Sequence, residues 1–213
     1  MNDAVIAAIT RRVSAGRFAP DGNVSDKQIH DLAELATRAP TAYNLQNWRM
    51  IAVRSAAAKA RLKAVAFGQA KIEESAVTFI ICGQAPSHRE LGERLLPAVE
   101  AGFLPSSVVE NWIAAVKQSY DGNAMMQRDE AIRSATLGAA FLIFAAEAYG
   151  LASCHGRIRR RTVGARLHAR GRGDPVALGR HRTRHPGELA PETAHARRAL
   201  RHHCLGVWPR VQP

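Results

Sequence analysis

Apolar residues recur at helical spacing in the opening segment, where "AVIAAITRRV" predicts a helix from residue 3 to about residue 13. A second helix is predicted in "VSDKQIHDLAELATRA", with Ser25 at its N-cap and Ile29, Leu32 and Leu35 as its apolar stripe. Pro40 ends it, because the residue before a proline is pushed out of the helical region. The period then changes. "WRMIAVR" alternates and is β-branched enough for a strand, "SAAAKARLKAVAFG" is a helix capped by Ser55, and "AVTFIICG" is an unbroken apolar run of strand length. Such a run marks a strand covered on both faces. Residues 96–120 and 129–149 read as helices. The second is apolar after its first turn, which predicts burial, and Gly150 is its C-cap. The pattern is α+β, richer in helix than in strand, with no internal repeat.

After Leu151 the pattern stops. Between His155 and Pro213 no helical stripe of useful length and no strand can be read. A long structureless stretch attached to a compact domain points to an aberrant or disordered segment. Charge locates the same break. The chain of 213 residues, enough for one domain, has a net charge of +12, a balance typical of nucleic-acid binders. Yet residues 1–154 carry 16 basic against 15 acidic side chains, whereas residues 155–213 carry 14 Arg, no Lys, 3 acids and seven of the nine His.

Cys82, Cys154 and Cys204 lack metal or redox spacing, and their odd number argues against a disulfide framework. Thiols of this kind suit a reducing compartment. The N-terminus has no apolar core of signal-peptide length, and the apolar run 135–146 stops at Glu147, short of the roughly 18 residues a membrane span needs. A cytoplasmic, soluble protein is expected.

The candidate chemistry begins in "RAPTAYNLQNWRMIAV", residues 38–53, which leaves a helix, crosses a polar turn and enters a strand. This stretch resembles the signature loop of the nitroreductase family of flavoenzymes, commonly R-[AS]-P-[ST]-x-x-N-x-Q-P-W-x-[FM]. Pro40, Thr41, Asn44, Gln46 and Trp48 match; Asn47 stands where that family usually has proline. "ITRRVSAGRF" is similar to its R-R-S-x-R-x-F element with one extra residue, and "FGQAKIEESAVTFIICG" to its G-Q-x-x-[IV]-x-x-A-x-x-x-[IV]-[IV]-C segment. Residues 137–153 fit its long central helix ending in G-L-[GA]-S, so the resemblance covers residues 1–154.

The resemblance implies a nitroreductase-like α+β fold, a central, mostly antiparallel sheet flanked by helices, in a homodimer with two FMN sites at the subunit interface. It also implies a ping-pong reaction. Hydride passes from NAD(P)H to flavin N5 and then to a small electrophile such as a nitroaromatic, quinone or enone. The flavin performs the redox step, so no catalytic side chain is assigned, and no metal.

The residues suit that cofactor. A dianionic phosphate calls for forked, charge-assisted hydrogen bonds, for which Arg11 and Arg12 are candidates, with Ser14 donating a hydroxyl. The isoalloxazine ring calls for polar partners and flat apolar walls, offered by Pro40, Thr41, Ala42, Asn44 and Gln46, with Gln69 and Lys71 adding an amide and a cation. By family analogy that cation lies near the N1/O2 edge. Tyr43 either flanks the substrate pocket or covers apolar surface, and Trp48 reads as core. Without the other motifs, the arginine pair would read as a solvated helix end and the loop as a helix stop with Asn44 capping a turn. Phe103, Leu104 and Trp112 add apolar surface suited to a second copy.

After Ser153 the family usually continues P-M-x-G-F-[DE] and later P-G-N-W-P-Q-K-P-R; neither is present. A one-nucleotide shift of the possible codons lets "HGRIR" become M-G-G-F-D and "PGELAPETA" become P-G-N-W-P-Q-K-P-R. Two positions are tightly restricted under that shift: Glu188 can yield only Asn or Ser, and Glu192 only Lys or Arg. The expected organisation is an incomplete FMN-binding domain at 1–154 and an out-of-frame, disordered tail at 155–213 that impairs activity. The rival is a non-enzymatic basic protein whose arginine-rich tail binds nucleic acid. It is disfavoured by the absence of lysine, of stacking aromatics beyond Trp208 and of any recognisable module. A membrane-binding patch fails for want of an apolar helical face.

Overall fold

The computed structural model describes residues 3–19, 22–158, 176–178 and 202–209. Helix α1 (Asp3–Arg11) stops two residues before the predicted end and buries none of its side chains. Helix α2 (Asp26–Ala36) starts at the predicted cap: Ser25 Oγ accepts from Gln28 N while Gln28 Oε1 accepts from Ser25 N. Its buried stripe is Ile29, Leu32, Ala33 and Ala36; Leu35 falls off that face and is exposed. The spacing i, i+3, i+4, i+7 explains the difference.

Strand β1 (Trp48–Val53) and helix α3 (Ala56–Val65), with Ser55 Oγ accepting from Ala58 N, occur as expected. A single turn, α4 (Lys71–Glu74), leads into β2 (Val77–Gly83), every residue of which is buried. The helix predicted over 96–120 is two helices, α5 (His88–Glu100) and α6 (Ser106–Tyr120). Gly102 at φ 73° and Pro105 break it. Helix α7 (Ala124–Ala148) begins five residues earlier than predicted, because Asn123 Oδ1 accepts from Met126 N and caps a turn that has no apolar stripe. Gly150, at φ 69°, follows its end as predicted.

Three further strands complete the sheet: β3 (Leu151–Arg157), β4 (Val176–Leu178) and β5 (His202–Pro209). Their order is β3-β5-β2-β1-β4, with every neighbouring pair antiparallel, in agreement with the expected antiparallel sheet flanked by helices. The expectation of no strand beyond His155 is corrected here. Strand pairing uses backbone groups that any sequence supplies, and β2, buried along its whole length, leaves costly unpaired N–H and C=O groups unless both its edges are covered. The rest of the basic segment, including the restricted codon positions at 188 and 192, lies outside the described residues.

Helix α7 packs across one face of the sheet, where Ala135, Ala139 and Leu142 join Trp48, Met50, Phe79 and Ile81. On the other face Leu62 and Ile72 cover Val53, Ile80 and Cys82. A third cluster joins α5 to α6 through Leu91, Leu95, Val109 and Val116. Helix α7 is long and apolar enough to cross a membrane, but half of its apolar stretch is buried in the fold, as in the core helix of a globular domain. The burial expected along it is incomplete: Phe141 and Phe144 stay partly exposed.

Two contacts fix α7. At Gly83 an added Cβ would lie 2.6 Å from the Ala131 carbonyl carbon, so β2 and α7 approach too closely for any side chain. Gly83→Ala is expected to cost about 1–3 kcal/mol, read as a lower urea midpoint. Gly16→Ala, with nothing within 4 Å of its Cβ, serves as the neutral control. The second contact is buried Glu130, which accepts from Tyr120 Oη at 3.2 Å and Ser134 Oγ at 2.8 Å and pairs with Arg133. Burial, then the Glu130 carboxylate, pushes the Tyr120 phenol up to about 12 from 10.0. Below pH 10 both folded and unfolded chains keep that proton; between about 10 and 12 the unfolded chain loses it first, so stability falls as pH rises. Denaturant titrations across this window should show the fall, and Tyr120→Phe should flatten it.

Candidate functional site

Polar groups gather at two places, one at each end of β1. At the first, where β1 ends and β2 begins, the segment after α1 runs beside β3. Ser14 bridges Ser153, and Ala15 N donates to Ser153 O at 2.9 Å. Lys71, at the start of α4, reaches across to donate to Ala15 O at 3.0 Å and to approach Cys154 Sγ at 3.4 Å. Phe18 N donates to Glu74 Oε2 at 3.4 Å. These bonds tie the α1 exit, α4 and β3 into one wall. In front of it lies an open cleft of about 520 Å³ lined by Gly16, Arg17, Gln69, Ala70, Lys71 and Glu74.

Gln69 and Lys71, predicted on the sequence, therefore share a cleft, with Ser14 close by in the same segment. Arg12 is half-buried just beyond the helix end. Arg11 is engaged elsewhere: its Nε lies 3.7 Å from Glu147, a nearly buried carboxylate at the end of α7. Cys82, on the central strand, is no nucleophile, because burial pushes its thiol up to about 11.

The second group is the turn at 41–46. Tyr43, Asn44 and Gln46 take positive φ values of 50°, 51° and 44°. Thr41 holds the turn from within, its carbonyl accepting from Asn44 N at 3.1 Å and its Oγ1 from Gln46 N at 3.0 Å. Gln46 Nε2 donates to Asn44 Oδ1 at 2.9 Å. Behind the turn, fully buried Leu45 enters the α5–α6 cluster, and Tyr43 meets Trp112 edge-to-face with centroids 6.1 Å apart. Pro40 and Asn44 are exposed, Thr41, Ala42, Tyr43 and Gln46 half-buried, and Trp48 is core.

The two groups do not meet within one chain. Trp48, which follows the turn, pairs with Gly83, while Val53 pairs with Thr78 beside the cleft. Five residues of strand at ~3.4 Å each separate them by about 17 Å. Two contributors were not visible in the sequence. Arg94 donates to Leu45 O, yet with Glu90 four residues earlier it reads as a solvated helix pair. Asn47 is buried and donates to Gln84 O at 2.7 Å; its only signal was standing in place of a proline.

Known proteins are similar to this chain in sequence and in fold. YodC of Bacillus subtilis is 29% identical over 143 residues, 67% of this chain and 70% of its own. A Thermus thermophilus protein named NADH dehydrogenase is 43% identical over 79 residues, 37% of this chain and 38% of its own. The fold is that of an Exiguobacterium sibiricum protein solved in complex with FMN, with a TM-score of 0.76 at 20% identity, covering 97% of this chain and 88% of that one. Residues 9–156, containing both polar groups and the strands β1 and β2 between them, match the Nitroreductase family, and the chain belongs to that family.

Proposed function

We propose that this oxidoreductase binds FMN and passes reducing equivalents from NAD(P)H to a small electrophile of the nitroaromatic, quinone or enone class. We propose further that it acts as a homodimer whose two FMN sites each draw on both copies. The observation that carries this reading is the separation of the two polar groups along β1. Neither alone offers what a phosphorylated ring needs, and they can flank one ring only when the turn of one copy faces the cleft of another.

The donor chemistry fits the cofactor. A cleft of about 520 Å³ lined by an amide and an ammonium suits one end of a flavin, since ligand pockets commonly span ~300–1,000 Å³. Gln69 and Lys71 would hold the ring's polar edge, Arg12 and Ser14 the phosphate, and Thr41, Ala42, Asn44 and Gln46 of a second copy the remaining edge, with Pro40 as an apolar wall. Arg11 contributes less than its neighbour, being engaged by Glu147. Bound flavin supplies two-electron transfer between nicotinamide and acceptor. Lys71 favours negative charge beside it without having to move. Tyr43, backed by Trp112, offers an aromatic edge to a flat substrate. Apolar surface for a second copy is plentiful: Val5, Ile6 and Ile9 on α1, Phe103 at 86% exposure, and Phe141 and Phe144 on α7.

The same proposal takes residues 155–213 as read out of frame. Its support is a coincidence of boundaries: the family match ends at residue 156 and the composition changes at residue 155. Loss of the in-frame segment would weaken FMN binding, so the chain as it stands is an impaired enzyme. Sequencing the encoding DNA tests this; codons that resist a one-base shift restoring M-x-G-F-[DE] end the idea.

For the site, Lys71→Ala should weaken FMN binding roughly 10- to 100-fold, the loss of one charge-assisted bond, as followed by flavin fluorescence. A mixing experiment tests the shared site. Chains carrying Lys71→Ala and chains carrying Asn44→Ala with Gln46→Ala, refolded together, should regain one intact FMN site per mixed dimer. No recovery would place the whole site in one copy.

A further inference from the structure

The turn at 41–46 is an improbable shape to find unsupported. Tyr43 and Gln46, at φ 50° and 44°, occupy the left-handed region that side chains other than Gly and Asn avoid. The bonds donated by Asn44 N, Leu45 N and Gln46 N all end on Thr41 or Ala42, inside the turn, so they are lost together if it unwinds. Restraint has to come from outside. Leu45 and Tyr43 anchor the turn's middle by packing on α5 and α6, and two further side chains hold its exit by hydrogen bonds. Arg94, on α5, donates from its guanidinium to Leu45 O, while its other arm is held by Glu90 one helical turn earlier. Its side chain is only 12% exposed, so this charged bond is shielded from water.

Asn47 forms the second restraint. Its Nδ2 donates to Gln84 O at 2.7 Å, and Gln84 N donates to Asn47 O at 2.7 Å. This reciprocal pair fastens the end of the turn to the residue following β2. Asn47 is 1% exposed, and among the described residues its Oδ1 has no hydrogen-bond partner. An unmade acceptor in the interior is destabilising, so stability alone would favour an apolar side chain here. What the asparagine provides is the tether.

We infer that Arg94 and Asn47 are positioning residues that hold the 41–46 turn in its ligand-ready form before any ligand arrives. The functional part of this inference rests on the FMN reading of the turn; the restraint itself rests on geometry. Two measurements on the full chain test it. In amide hydrogen exchange without cofactor, Arg94→Met and Asn47→Ala should speed exchange at Leu45 and Gln46 by roughly tenfold or more relative to β2, and Arg94→Lys should restore part of the protection. Exchange that is unchanged at the turn, or that rises equally in β2, overturns the inference as a purely structural role. In FMN titrations the same variants should bind roughly tenfold more weakly and show an altered bound-flavin absorption spectrum. A looser turn with unchanged FMN affinity also overturns it. Should the unaltered chain take up no FMN, the cofactor reading falls, and the exchange measurement decides the restraint alone. Where Arg94→Met does not fold, Arg94→Lys and Asn47→Ser carry both measurements.

Discussion

The burial of β2 along its whole length governs this molecule. A strand with all seven residues enclosed must have a partner on each edge and a packed layer on each face. β1 and β5 supply the edges, α7 one face, and α3 with α4 the other. Once these are in place, the polar segments have nowhere to go but the ends of the sheet. The stretch after α1 is stitched to α4 and β3 at one end, and the turn at 41–46 is pressed onto α5 and α6 at the other. The interior strand therefore sets the distance between the two polar groups, the distance on which the proposal of a second copy rests.

Much of this arrangement was legible in local chemistry. Ser25 and Ser55 announced their helices because an N-cap hydroxyl and the residues after it are close in sequence. "AVTFIICG" announced a doubly covered strand because no charged residue interrupts it and Thr78 is its one hydroxyl. Failures came where local signals conflict or fall silent. Gly102 and Pro105 outweigh apolar periodicity between α5 and α6, and Asn123 starts α7 a full turn before any stripe is visible. β5 was unreadable because what places it is the need of β2's open edge, a demand written 120 residues earlier in the chain.

The site divides in the same way. Motif resemblance picks out Gln69, Lys71 and the 41–46 turn as candidates, since each sits in a short recurring pattern, and the fold brings the first two to one cleft. Contacts between distant segments could not be read. Arg11 is expected at a phosphate from its motif, and the fold adds Glu147, 136 positions later, as an ion-pair partner that no local pattern announces. Arg94 carries no sequence signal beyond its spacing from Glu90, and only the packing of α5 behind the turn brings it to Leu45 O. Resemblance names residue types at positions; only the fold says which are already engaged.

The central claim is that one flavin site is assembled from the cleft of one copy and the turn of another. A crystal structure of the protein grown with FMN tests it directly. The account predicts the ring lying against Gln69 and Lys71 of one copy with Asn44 and Gln46 of its mate on the opposite side. Density for FMN enclosed by a single copy, or placed away from the Lys71 cleft, would contradict it.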